Sequence, residues 1–187
     1  IRAMTTERKI AAKRYDFKKS PMMIREILNA ERYGDLKDGE RALGGFRLPA
    51  FQRPLVWSED QKVALIQSIW EGFDIGTYAI TQDLDNLEND NLILDGQQRI
   101  SAILDYVADK FKVYGMLYSE LTERDHRVFS QTIFPRVIVK PEGDNMLRDY
   151  YNRMNFSGVH HTEDQRCLLY TPPIPRDRTR YRMPSSA

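Results

Sequence analysis

Asp95, Gly96, Gln97, Gln98 and Arg99 stand together where an apolar run, LIL, gives way to a helix-like one, ISAIL. A helix N-terminus presents unpaired backbone N–H groups and a partial positive charge, so a helix that starts straight after a strand suits an anion such as phosphate. Gly96 permits a tight turn and close backbone approach. Gln97 and Gln98 are able to donate to phosphate or sugar oxygens, and Arg99 carries a forked, permanently charged donor that matches phosphate. Asp95 is the odd member. A carboxylate repels phosphate unless it binds a divalent cation bridging to that phosphate, or accepts a proton from an attacking hydroxyl. The structural alternative has Asp95 cap the helix while Arg99, four residues on, pairs with it. Both arrangements are open at this level.

A second constellation lies upstream. Gln52 and Arg53 sit between Pro49 and Pro54, with Arg47 before them and Trp57 closing the loop. A stiff loop carrying arginine beside aromatic rings suits gripping phosphate and stacking a base, although arginine packed on tryptophan is also common as plain structure. The chain holds neither G-x-x-x-x-G-K-[ST] nor G-x-G-x-x-G, so any nucleotide would be held by another scaffold.

The elements that must position these residues read as follows. KKSPMMIREILNAERYGD predicts a helix, with Ser20 as N-cap, Pro21 at the first helical position, Met23, Ile24, Ile27 and Leu28 at helical spacing, and Gly34 as the stop. Phe46 to Leu48 is a short extended piece. Ser58 and Gln61 form a capping box for a helix that puts Val63, Ile66, Ile69, Trp70 and Phe73 on one face and ends at Gly72. TYAITQ, NLILD, FKVYGM and FPRVIVK read as strands, and DLDNLENDN as a solvated acidic loop that lacks the glycine and final glutamate of a calcium loop. Helices are expected over ISAILDYV, over LTERDHRVFSQT with Thr122 as N-cap, and over EGDNMLRDYYNRMN. The alternation predicts an α/β or α+β domain built on a small mixed sheet with flanking helices.

Totals narrow the classes. With 187 residues, 41% of them hydrophobic, the chain suffices for one core, and 28 Lys plus Arg against 27 Asp plus Glu give no global charge argument for nucleic acid. The single cysteine, Cys167, excludes an internal disulfide and a cysteine-rich zinc site and reads as a bystander. No apolar run reaches the roughly 18 residues of a membrane span, so a cytoplasmic protein with no membrane partner is expected. The expected organisation is an N-terminal arm over 1–19, the domain over 20–169, and a flexible basic tail over 170–187 with four arginines against Asp177.

FQRPLVW, followed about forty residues later by ILDGQQRISAI, resembles the signature motifs of the GmrSD-type restriction endonuclease N-terminal domain family, within the ParB/sulfiredoxin-like superfamily. YNRMNFSGVHHTEDQ is similar to the family's third element, and the likeness spans roughly Ser20 to Gln165. Leu55 stands where an aromatic is usual, and His160 and His161 replace more apolar residues. The resemblance implies a ParB/sulfiredoxin-like fold and nucleotide-dependent phosphoryl transfer, as NTPase or kinase, with ATP or another NTP and Mg²⁺. Its setting would be DNA modification or the processing of modified DNA, and a hydroxyl on a modified base is one acceptor it suggests. DNA and a partner protein are the implied partners. The family's larger members carry a nuclease domain downstream, which this chain is expected to lack.

Carried onto matching positions, the resemblance makes Asp95 the metal ligand or general base, Gly96 the close-approach turn, and Gln97 and Gln98 phosphate or sugar contacts. Arg99 would steady the transferring group, with Gln52 and Arg53 completing the cradle and Arg53 counted with the catalytic residues. Arg47, Trp57, Asn155, Ser157 and His160 would face substrate. Adjacent His160 and His161 on an extended segment point opposite ways, which argues against a shared metal. Two rivals stand beside this reading: a metal-dependent DNA nuclease, and a non-catalytic module switched by nucleotide for DNA binding.

Overall fold

A computed structural model describes residues 17–31, 35–50, 52, 54–142, 146–147, 149–150 and 153. The elements, in chain order, are β1 (Lys18–Ser20), α1 (Ile24–Leu28), β2 (Arg41–Leu43), β3 (Phe46–Leu48), α2 (Glu59–Glu71), β4 (Tyr78–Thr81), β5 (Ile93–Asp95), α3 (Gln97–Val107), α4 (Glu123–Ser130) and β6 (Arg136–Val139). Residues 146–147, 149–150 and 153 are also helical.

Alternation along the strands sorts side chains to two faces of one sheet. Its strand order is β1-β6-β4-β5, with β4 and β6 parallel and the other two pairs antiparallel. Tyr78, Ile80 and Ile93 point to the larger core, where they meet Leu65, Ile66 and Ile69 of α2, Ile100, Ile103 and Tyr106 of α3, and Phe129 of α4. Ala79, Leu92, Leu94 and Val139 point the other way, against Met146, Leu147 and Tyr150. The β2–β3 hairpin stands apart as a two-stranded ribbon, and Arg47 bridges from it to Leu92 beside β5. The domain is thus α+β, with a small mixed sheet and flanking helices.

Local signals hold where they are strongest. The Ser58–Gln61 box is formed in both directions and Gly72 closes α2 in the left-handed conformation, at φ 82°. Thr122 and Asp125 form a second box at α4. Tertiary context changes three expectations. Ser20 is the last residue of β1, paired with Arg136, so it does not cap a helix; α1 begins only at Ile24, after Met23. Backbone bonds from Phe134 N to Met22 O and from Ile24 N to Thr132 O hold this stretch against the approach to β6. FKVYGM is not a strand, because Val113 and Met116 close a turn on each other with Tyr114 at φ 52° and Gly115 at φ 79°, the signs of a type I′ turn. Phe73, past the end of α2, is 65% exposed and takes no part in the core. Among the described residues no helix is long and apolar enough to cross a membrane.

Candidate functional site

The site is built on an irregularity in β5. Strict alternation would send Asp95 to the same face as Ile93, into the larger core. Instead the antiparallel pairing slips by one residue: Ile80 lies opposite Ile93, but Ala79 lies opposite Asp95, with Leu94 as the extra residue. Such a bulge re-aims the side chains that follow it. Asp95 therefore joins Ala79, and Ala79 pairs in turn with Val137 of β6, so the three form one row across the sheet.

That row is the floor of a cavity of about 370 Å³, lined by Phe17, Thr77, Ala79, Asp95, Val137, Tyr150 and Arg153. The Phe17 and Tyr150 rings meet edge to face, with centroids 5.1 Å apart. Burial, with the Asp95 carboxylate as the second cause, pushes the Tyr150 hydroxyl up to about 12, so it stays protonated at neutral pH. Asp95 itself keeps a side chain 31% exposed.

The polar residues around Asp95 act mainly as clasps. Gln52 is buried, and its Nε2 donates to the carbonyls of Ile93 at 3.0 Å and Leu94 at 2.9 Å, the two residues at the slip. Gln98 Oε1 accepts from the backbone N–H of Val56 at 3.2 Å and Trp57 at 3.3 Å, while its Nε2 donates to Pro54 O at 3.0 Å. The first turn of α3 and the loop before α2 are thereby held together through one side chain. Arg99 Nη1 donates to Ile75 O at 2.5 Å and Nη2 to Thr77 O at 2.7 Å, with Asp95 Oδ2 3.7 Å from Nη2 and the Phe134 ring beneath the guanidinium. The Asp95–Arg99 pairing that the spacing left open is present, and it is a long one.

Gly96 is the N-cap of α3 at φ 93°, and a Cβ there would lie 2.6 Å from Tyr78 Cβ. Only glycine meets both demands, a left-handed turn and contact with β4. Its lack of a side chain leaves the α3 N-terminus without a side-chain cap one residue after Asp95.

Expected ligand contacts fall in different places. Asp95 lines the cavity. Gln52, Gln98 and Arg99 direct the donors just named at backbone carbonyls. Gln97 is buried at the start of α3. The Arg47 side chain is 3% exposed, and its guanidinium donates to Glu40 and to the carbonyls of Leu87, Glu88 and Asp90, where it supports the acidic loop. Trp57 is half-buried against the larger core and does not line the cavity. Arg53, Asn155, Ser157 and His160 lie outside the described residues.

Phe17, Thr77, Val137, Tyr150 and Arg153 were not singled out from the sequence. Alternation in TYA and RVI was a usable signal for Thr77, Ala79 and Val137; nothing local marked Phe17 or Tyr150. Among the described residues no group of three or more His, Cys, Asp or Glu is placed to hold a metal ion. A divalent cation at Asp95 would take one protein carboxylate and complete its shell from water and ligand oxygens, which is how Mg²⁺ is commonly held.

No curated protein and no solved structure matches this chain. The family model described as GmrSD restriction endonuclease, N-terminal domain, matches residues 24–166. That span runs from the first residue of α1 through β5, the Gly96 turn and the Gln52, Gln98 and Arg99 clasps, and on this match the chain belongs to the GmrSD restriction endonuclease N-terminal domain family.

Proposed function

We propose that this chain is the nucleotide-dependent part of a restriction system that acts on DNA, modified DNA in particular, and that a nucleoside triphosphate is turned over beside Asp95. The observation that carries the reading is the placement of one carboxylate. The slip in β5 turns Asp95 onto the cavity floor, Arg99 stands 3.7 Å from it, and the uncapped N-terminus of α3 begins one residue later. A carboxylate able to hold a cation or accept a proton, next to a helix end that favours anions, is an arrangement suited to phosphoryl transfer.

In this reading Asp95 would hold Mg²⁺ or accept the proton of the attacking hydroxyl or water, whose oxygen takes the γ-phosphoryl group as its bond to the departing nucleoside diphosphate breaks. The metal supplies charge neutralisation at the phosphate oxygens when bound. Arg99 is a positioning residue, keeping Asp95 and the 75–77 loop in place through the bonds it makes to carbonyls. Gln52 and Gln98 hold the slip and the loop before α2. The acceptor is water or a hydroxyl on DNA, including one carried by a modified base.

The test is to incubate the protein and Mg²⁺ with each of the four γ-labelled ribonucleoside triphosphates, with no DNA, plain DNA or hydroxymethylated DNA. Labelled phosphate, free or on DNA, is expected, falling about 100-fold or more in Asp95→Asn. Cut DNA without consumption of nucleotide supports the nuclease rival, and intact bound nucleotide supports the switch rival. Either result overturns the proposal.

A further inference from the structure

The walls of the cavity are chemically lopsided. Phe17, Ala79, Val137 and Tyr150 form its apolar part, while Thr77, Asp95 and Arg153 supply the polar side chains among the described residues. Arg99, the other nearby cation, directs Nη1 and Nη2 at the carbonyls of Ile75 and Thr77. A triphosphate by itself, with several negative charges, is poorly matched to such a lining.

We propose that the apolar part of this cavity receives a nucleobase, its ring against Phe17 and Tyr150 over the Ala79–Val137 floor and its polar substituents toward Asp95 and Thr77. A base has two flat apolar faces and a polar edge, and aromatic side chains stack on it whatever its identity. A cavity of about 370 Å³ falls in the range of small-ligand sites and accommodates a nucleoside. The row Asp95–Ala79–Val137 gives the floor a small residue at its centre, so a ring lies on it beside the joined Phe17–Tyr150 wall without displacing strand β4. The protonated Tyr150 hydroxyl donates rather than repels.

This assignment rests on the same cavity as the proposed function but concerns its apolar lining. The base has two sources, a free nucleotide or a base swung out of a DNA duplex. Binding is measured for adenosine, guanosine, cytidine, uridine and inorganic triphosphate, alongside the fluorescence of a duplex containing 2-aminopurine. At least one nucleoside is expected to bind, or the 2-aminopurine signal to rise as the base leaves the stack; the first marks a nucleotide site and the second a DNA base site. Phe17→Ala, which removes one wall, and Ala79→Leu, which fills the floor, are each expected to weaken that signal roughly tenfold or more. Phe17 is half-buried at the edge of the sheet, so its variant keeps the test decisive if Ala79→Leu fails to fold.

Absence of both signals in the wild-type protein, or their survival in a folded Phe17→Ala, overturns the base assignment. If nucleotide is still turned over in that case, the base assignment fails while phosphoryl transfer at Asp95 stands. Nucleoside binding without turnover has the reverse meaning.

Discussion

The side-chain amide of Gln52 donates to the carbonyl oxygens of Ile93 and Leu94 at 3.0 and 2.9 Å, bonding both backbone groups at the slip that turns Asp95 toward the cavity. A loop residue thereby supports the aim of a strand residue. An edge strand with a bulge has carbonyls that its neighbour does not fully use, and Gln52 satisfies two of them in a place where water is excluded.

Replacing Gln52 by Ala leaves those two carbonyls buried without this donor. Stability is expected to fall by about 1–3 kcal/mol, read from the midpoint of urea unfolding, and ligand binding at the cavity to weaken with it because Asp95 loses its support. Unchanged stability would mean that water or a neighbouring group replaces the amide at no cost.

Gly96→Ala meets two penalties, the left-handed backbone at φ 93° and a Cβ only 2.6 Å from Tyr78 Cβ. A loss of about 2–4 kcal/mol is expected. The control is Gly72→Ala, where φ is 82° but nothing lies within 4 Å of the added Cβ, so only the backbone penalty applies. Equal losses at the two sites would remove close packing on Tyr78 from the explanation.

The acidic loop is folded around a cation that the protein itself supplies. Arg47 Nη2 donates to the carbonyls of Leu87, Glu88 and Asp90, Nη1 reaches Glu40 at 3.2 Å, and Asp83 Oδ1 accepts from the N–H groups of Asp85 and Asn86. Arg47→Met leaves the Glu40 carboxylate buried beside it without its partner, so a loss of about 3–5 kcal/mol is expected. Amide hydrogen exchange over 83–90 should accelerate, and slow exchange there in the variant would show that Arg47 does not hold the loop.

Asp105 bridges α3 to α2 through Lys62, at 2.6 Å, and accepts from Lys110 at 2.7 Å. Burial raises its pKa, but the hydrogen bonds and charges of Lys110 and Lys62 outweigh that and hold it below the ordinary aspartate value. A depressed folded pKa stabilises the protein above the unfolded value of about 3.9, and the contribution disappears as pH falls through the lower folded value. The stability gap between wild type and Asp105→Asn is therefore expected to be constant above about pH 5 and to narrow as the pH falls below 4. Thermal unfolding of both proteins across that range checks this, and a gap that widens in acid would reverse the sign.

Elements with complete local signals were legible. The Ser58–Gln61 box and the Thr122 N-cap satisfy helix N–H groups within four residues, so no distant contact is required. β-Branched and aromatic alternation marked β4 and β6. Ser20 misled because Ser-Pro is a good helix start in isolation, yet Lys18–Ser20 gains backbone partners on Arg136–Ile138, a segment remote in sequence. Val113–Met116 misled because aromatic and branched residues suit a strand equally well when Tyr114 and Gly115 are instead at a turn.

For the site, the amino-acid order by itself determined that Asp95 ends a strand, that glycine turns the chain after it, and that α3 follows. It also determined which residues carry strong donors. Only the tertiary structure decided where those donors point, because a guanidinium or amide bonds to whatever acceptor the fold brings near, and here backbone carbonyls at 54, 75, 77, 93 and 94 arrive first. The slip in β5, which puts Asp95 beside Ala79, and the meeting of Phe17 with Tyr150 from opposite ends of the described chain depend on pairing across the sheet, and no local pattern contains that pairing.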